Sequence, residues 1–132
     1  MEDIKYKRLE ISDIENIVIE YNKDDLEKFI DNKDNYIFTG IKDNKAIAFL
    51  YGYGMLRPDG RRMFYIHSVD VLSEYQSKGI GTILMEYTLE YIKAEKKYYK
   101  YFVLTEGDNI KACKLYQKYA NRDEQVLFSN NI

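Results

Sequence analysis

The sequence predicts a single mixed α/β domain over residues 1–132, in the element order βααβββαβαβ, with helices on both faces of one sheet. Three observations carry this. Short alternating or continuous apolar runs are interleaved with segments of helical periodicity, the two hydrophobic periods that separate strands from helices. Hairpin-linked strands come first and are followed by alternating helices and strands, which builds a sheet with antiparallel and parallel parts. The 132 residues are 45% hydrophobic and 32% charged, a balance that suits one folded domain with its own core and not a disordered segment. No internal repeat, low-complexity tract or linker divides the chain.

Each element has a local reason. Ile4 to Leu9 alternates and reads as a strand. Ser12, with Glu15 three residues on, has capping-box spacing, and Ile14, Ile17, Val18 and Tyr21 follow at helical intervals. A second helix spans Asp24 to Asp31, with Leu26, Phe29 and Ile30 as its apolar face. Asn35 to Ile41 is a strand, Asp43-Asn44 a hairpin turn, and Ala46 to Met55 a nearly continuous apolar run that reads as a buried strand. Arg57-Pro58-Asp59-Gly60 is a turn before a strand over Arg61 to Val71. Gly79 to Lys96 is a long helix, Tyr101 to Thr105 a buried strand, Asn109 to Tyr119 a helix, and Gln125 to Phe128 a short closing strand.

Charge and cysteine content narrow the function classes. The net charge is −2, which argues against a nucleic-acid binder working by bulk electrostatics. The single cysteine excludes a disulfide framework and a cysteine-based zinc cluster, and a free thiol suits a reducing cytoplasm. No metal is implied. The chain opens acidic, without a secretory h-region, and the apolar stretch Ala46 to Leu56 is about half a membrane span and broken by Gly52 and Gly54, so a soluble protein is expected. Residues 1–35 carry 11 acidic and 6 basic residues, while residues 36–132 carry 11 and 14. That asymmetry is either two solvated helices or an acidic lip beside a basic pocket, the latter suiting a cationic substrate and an anionic cofactor.

The segment with chemical content is Val69 to Thr82. A strand ends at Val71, a loop follows, and a helix opens at about Gly79. The first turn of a helix presents unpaired N–H groups and a positive dipole end, and small residues there let a phosphate approach the backbone. Gln76, Ser77, Lys78 and Thr82 add side-chain donors around Gly79, Ile80 and Gly81. Neither of the common nucleotide fingerprints, G-x-G-x-x-G or G-x-x-x-x-G-K-[ST], is present. On the last helix Asn109, Ala112, Cys113, Tyr116 and Ala120 share one face. Tyr116 alone reads equally as one more core tyrosine among 14.

The spacing Gln76-x-x-Gly79-x-Gly81 between a strand and a long helix resembles the Gln/Arg-x-x-Gly-x-Gly/Ala motif of the GNAT superfamily of N-acetyltransferases. Asn109-x-x-Ala112-x-x-Leu115-Tyr116-x-Lys118 is similar to a second segment of that family, although Ala120-Asn121 replaces its usual Gly-Phe. The resemblance implies the GNAT-like fold and acetyl-CoA as cosubstrate, lying in a gap between the strand ending at Val71 and the strand ending at Thr105. It implies backbone pairing of Val69 and Val71 with the pantetheine arm. It implies a pyrophosphate held by Gln76, Ser77, Lys78, Gly79, Ile80, Gly81 and Thr82. It further implies Asn109 and the small Ala112 beside the pantetheine arm, and the Tyr116 hydroxyl aimed at the sulfur. Dimers are common in the superfamily, which implies a homodimer.

The reaction implied is direct attack of a neutral amine on a thioester, which needs a proton acceptor, an oxyanion donor and an acid for the departing thiolate. Tyr116, as a phenol with an ordinary pKa of about 10, is protonated at neutral pH and suits the last role. The general base is open among His67, Asp70, Glu124 and a water relay. Strict alternation puts His67 with Val69 on one face and Ser68 with Asp70 on the other, unless a bulge intervenes. Cys113 reads as a small packing residue.

Within the superfamily, Phe64 to Val71 and Arg122 to Phe128 look most like the aminoglycoside 3-N-acetyltransferase group, except that Ser68 stands where that group has an Asp, its proposed base. This implies a small cationic amine acceptor, with some of Glu20, Asp24, Asp25, Asp123 and Glu124 at the pocket mouth. Acetylation of a protein N-terminus or lysine, and CoA binding without turnover, are the alternatives.

Overall fold

The computed structural model describes residues 3–132. One five-stranded sheet runs in the order β1 (Lys5–Arg8), β2 (Asn35–Lys42), β3 (Lys45–Leu56), β4 (Arg62–Val71), β5 (Lys100–Val103). The first three junctions are antiparallel and the β4–β5 junction is parallel. Between β1 and β2 lie a 3₁₀ turn over Ile11–Asn16 and helix α1 (Lys23–Asp31); α2 (Ile80–Glu95) joins β4 to β5; α3 (Ile110–Gln117) follows β5.

The apolar run of β3 is explained by burial on both faces. Tyr36, Phe38, Ile47, Leu50, Phe64 and Ile66 pack in one cluster with Leu84, Met85, Leu89 and Ile92 of α2. The intervening Ile37, Ala46 and Phe49 pack on the opposite face with Leu9, Ile14, Ile17 and Leu26. The β2–β3 hairpin turns at Asp43 and Asn44, both at positive φ (50° and 62°), the backbone that a two-residue hairpin of matching twist requires and that Asp and Asn tolerate.

Three expectations are corrected. The first helical turn is capped by Glu10 in a reciprocal box with Asp13, not by Ser12 with Glu15, and it stays a 3₁₀ segment. The box sits two residues earlier because Leu9 ends β1 buried in the core and the chain turns directly after it. The closing strand over Gln125 to Phe128 does not form: residues 121–132 have no regular structure, and Val126, Leu127 and Phe128 are exposed. The apolar run in that tail has no neighbouring strand to pair with, and a short apolar run is a strand only when paired. The third correction concerns β4.

Strand β4 contains a bulge. Tyr51 of β3 opposes Ser68 and Gly52 opposes Ile66, so His67 is an extra residue without a partner of its own. Phase is therefore shifted from Ser68 onward. Tyr65 and His67 lie on the α1 face, and so do Ser68, opposite Tyr51, and Asp70, opposite Phe49. Val69 and Val71 pack toward the α2 cluster. The alternation that would separate His67 from Asp70 is thus broken at His67 itself. Pairing of β4 with β5 also stops at this level, with Ile66 opposite Val103. A bulged strand bends and twists away from its neighbour, and the last part of β4 is left without a strand on its β5 side.

Candidate functional site

The splay between β4 and β5 opens above the N-terminus of α2. Between them runs the loop Leu72 to Gly79, which includes a short 3₁₀ turn over Ser73–Tyr75. Ser77 (φ 62°) and Gly79 (φ 82°) are both in the left-handed region. For a serine this conformation is uncommon and is tolerated where the surroundings require the loop to curl. Gly79 is the N-cap of α2 and offers no side chain to its N–H groups, whereas α1 and α3 are capped by Asn22 and Asn109 through the backbone N–H of Asp25 and Ala112. The α2 terminus thus keeps its donors and its positive dipole end free of a side-chain acceptor.

Gly81 tests whether the loop fits a phosphate-bearing ligand. A Cβ placed there would meet only Val71 Cγ2 at 3.8 Å and Leu115 Cδ2 at 3.9 Å, ordinary contacts. Packing therefore does not require a glycine in this first helical turn, and a small residue here leaves the backbone open to a close-approaching group. Positive charge is gathered at the same place from α3: Lys111 Nζ donates to Gln76 Oε1 (3.3 Å) and Lys118 Nζ to Thr82 Oγ1 (3.2 Å). Lys111 carries no motif signal; only its position, seven residues before Lys118 on one helix face, marks it.

The residues expected around the cofactor are placed as follows. Val69 and Val71 end β4 at the splay, with side chains in the α2 cluster. Gln76 is exposed, and its Nε2 donates to the Val71 carbonyl (2.9 Å), fastening the loop to the strand end. Lys78 is exposed, Ile80 is buried beneath the helix, and Thr82 is half-buried. Asn109 spends its side-chain oxygen as the α3 cap, which leaves its amide donors free. Ala112 follows on the first turn of α3. Cys113 Sγ lies 3.8 Å from the Gly107 carbonyl oxygen, a local contact at the helix start.

Tyr116 is half-buried on α3 and packs against the α2 cluster. Burial raises the Tyr116 phenol above its ordinary range, and the Asp70 carboxylate raises it further, so the hydroxyl is held in its protonated, donating form. Asp70 accepts from Ser68 Oγ at 2.7 Å, a contact between residues two apart on one strand face. His67 is exposed, its Nδ1 at 2.9 Å from the Tyr53 hydroxyl, and its ring stands among Tyr51, Tyr53 and Tyr65 at 5.2 to 5.5 Å. A cavity of about 510 Å³ opens at the end of β4 between Asp70, Val71, Leu72 and Ser73 on one side and Glu20, Tyr21 and Phe49 on the other. Of the acidic residues expected at the mouth, Glu20 lines this cavity and Asp25 a neighbouring one, while Asp123 and Glu124 sit on the exposed tail. Among the described residues no helix is long and apolar enough to cross a membrane.

A bent strand that opens a cleft, ending on a curled loop and a helix N-terminus without a side-chain acceptor, defines an α/β protein with an anion-compatible helix start at its cleft. The model of the acetyltransferase (GNAT) family matches residues 6–120, and the chain belongs to that family, whose members use acetyl-CoA as cosubstrate. It is similar to an N-alpha-acetyltransferase of Saccharolobus solfataricus, 27% identical over 97 residues, which cover 68% of this chain and 58% of the relative. The chain thus spans little more than half the length of that curated relative. Among solved structures it is similar to an aminoglycoside acetyltransferase from an uncultured soil metagenomic sample (TM-score 0.83, 21% identity, 99% of this chain and 97% of the other). It is also similar to a ribosomal-protein-alanine N-acetyltransferase from Brucella melitensis (TM-score 0.76, 16% identity, 98% and 99%).

Proposed function

We propose that the chain is an acetyl-CoA-dependent N-acetyltransferase that moves an acetyl group to the primary amine of a small cationic acceptor by direct attack. The observation that carries this reading is the splay at the end of the bulged strand, where Asp70 lines a cavity beside a helix N-terminus whose donors no side chain takes. Acetyl-CoA supplies the acetyl group as an activated thioester. The backbone of Val69 and Val71 pairs with the pantetheine arm in the manner of an added strand. The N–H groups from Ser77 to Thr82, with Lys78, Lys111 and Lys118, hold the pyrophosphate, while Asn109 and Ala112 border the arm.

The carbon–nitrogen bond forms as the carbon–sulfur bond breaks; the amine loses one proton and the sulfur gains one. Asp70 takes the proton from the amine, and Tyr116 gives its proton to the sulfur. Asp70 fills the role because it lines the cavity at the end of β4, and the bulge carries it, together with Ser68, to the face of His67. His67 stands among Tyr51, Tyr53 and Tyr65 with its Nδ1 engaged by Tyr53 and does not line that cavity, so Asp70 is the base in this reading. Much of the rate comes from holding amine and thioester together.

An aminoglycoside is one acceptor of this class, a reading supported by the acidic N-terminal segment. Acetylation of a peptide N-terminus is the second reading, motivated by the Saccharolobus relative. The test is release of free CoA from acetyl-CoA against aminoglycosides, a polyamine, free amino acids and short peptides at mildly alkaline pH. Turnover of any small amine supports the proposal. Turnover of peptides alone selects the second reading, and acetyl-CoA binding without turnover of any amine would leave a CoA-binding module.

A further inference from the structure

Beside the Asp70 cavity lies a second one, of about 250 Å³, walled by Tyr21, Phe29, Tyr51 and Tyr53, with Leu26 and Ile37 buried behind them. The rings form a continuous surface: Tyr21 to Tyr51 at 6.5 Å, Tyr51 to Phe29 at 5.8 Å, Phe29 to Tyr53 at 5.9 Å, all edge-on. Tyr51 and Tyr53 alternate with Gly52 on β3 and so point to the same face, and α1 supplies Phe29 above them. Asp25, exposed, is the single carboxylate on its lining. Tyr21 borders both cavities, so a molecule whose amine reaches Asp70 can pass its other end across Tyr21 into the aromatic chamber.

This chamber suits an apolar body and not a polyol. Ring faces and aliphatic side chains give an aromatic or branched-alkyl group favourable contact and attract a neighbouring ammonium through the ring quadrupoles. The several hydroxyls and ammonium groups of an aminoglycoside would each need a polar partner on burial, and this wall has one carboxylate and phenols to offer. The Tyr21 and Tyr53 phenols stay neutral: burial, Tyr51, Asp70 and Glu20 push the Tyr21 hydroxyl up to about 12, and burial raises Tyr53. A volume of this size lies below the usual range for drug-sized ligands, which starts at roughly 300 Å³, and fits one ring or one hydrophobic side chain.

We propose that the acceptor is an amphipathic primary amine, its nitrogen at Asp70 and one aromatic or branched-alkyl group in the Tyr21–Phe29–Tyr51–Tyr53 chamber. The proposal rests on the acetyltransferase reading above and narrows its substrate class. The group has two sources, a free arylalkylamine or the first residue of a peptide.

The test compares kcat/KM of the wild-type chain for 2-phenylethylamine, isoamylamine, ethanolamine, a polyamine, an aminoglycoside, and short peptides beginning with Phe or Gly, by CoA release. A preference of about tenfold or more for the apolar member of each pair is expected. Preference within the free amines identifies the first source, and preference for the Phe peptide over all free amines the second. Equal rates for 2-phenylethylamine and ethanolamine, or a higher kcat/KM for the aminoglycoside or polyamine, overturn the proposal while leaving the acetyltransferase reading intact. Absence of turnover with every amine overturns both. Phe29→Ala is expected to raise KM for the preferred amine about tenfold with KM for acetyl-CoA unchanged. Calorimetric titration of 2-phenylethylamine into wild type with CoA present, showing saturable binding that Phe29→Ala weakens, gives the same answer without turnover; no binding of any apolar amine refutes the chamber's role.

Discussion

Gly81→Ala and Gly81→Glu together separate what the fold needs at the α2 N-terminus from what the ligand needs. The added methyl would lie 3.8 Å from Val71 Cγ2 and 3.9 Å from Leu115 Cδ2, so no atom of the protein has to move. Replacing glycine by alanine at a compatible helical position lowers the entropy of the unfolded chain and stabilises by about 0.4–1 kcal/mol. For a domain of this size that corresponds to a rise in Tm of roughly 2–4 °C. A methyl is also what the motif admits at this position, so acetyl-CoA binding by Gly81→Ala should be little changed. Gly81→Glu instead places a carboxylate at the phosphate site. Loss of one charge-assisted hydrogen bond costs about 1.5 kcal/mol or more, which is about tenfold in Kd. Thermal unfolding without ligand and calorimetric titration with acetyl-CoA measure the two effects separately. The expected result is a more stable Gly81→Ala that keeps its Kd and a Gly81→Glu that binds acetyl-CoA at least tenfold more weakly. Unchanged Kd in Gly81→Glu would refute the assignment of this turn to the pyrophosphate, and lowered stability in Gly81→Ala would refute the packing argument.

Four further outcomes are expected. Tyr116→Phe removes a proton donor and little volume, so kcat should fall about tenfold or more with KM for acetyl-CoA nearly constant; an unchanged kcat removes Tyr116 from the mechanism. Because burial and Asp70 raise the Tyr116 pKa above its ordinary value of 10, the donating form persists below that raised value and is lost only as pH climbs through it. The wild-type kcat should therefore show no alkaline loss attributable to Tyr116 below about pH 10, and a wild-type decline with a lower midpoint that vanishes in Tyr116→Phe contradicts this. Asp70→Asn should lower kcat by about a hundredfold while His67→Ala changes it only a few-fold, and the reverse ranking would move the base to His67. Gly52→Ala drives a methyl into the Tyr65 carbonyl and to 3.0 Å from Phe64 Cζ. It should cost about 1–3 kcal/mol, seen as a lower Tm.

Most of the sheet and both long helices were legible because their signals are local. The two-period patterning of β2, β3 and α2, the Asp43-Asn44 turn and the helix opening at Asn109 need no knowledge of the rest of the chain. The opening of α2 at Gly79 was legible for the same reason. The face of Asp70 was not. A bulge is a statement about how many residues of one strand oppose those of its partner, and β4 carries no glycine or proline at His67 to announce it. The tail misled in the opposite direction, since Val126 to Phe128 is an apolar run of strand length but has no partner among the described residues. The aromatic chamber was invisible because its walls come from α1, β3 and the turn before α1, and the rings read separately as ordinary packing residues.

The extra residue in β4 has a consequence for how such a protein can change. Removing His67 would leave Ile66, Val69 and Val71 facing α2 and Tyr65, Ser68 and Asp70 facing α1, each on the face it now occupies. The interior would remain the same set of side chains in the same layers, but the strand would run straight and could stay zipped to β5. The cleft is therefore an additive feature, worth one codon, laid over a core that does not depend on it. A lineage can acquire or discard the ligand groove by a single in-frame insertion or deletion and keep its fold throughout.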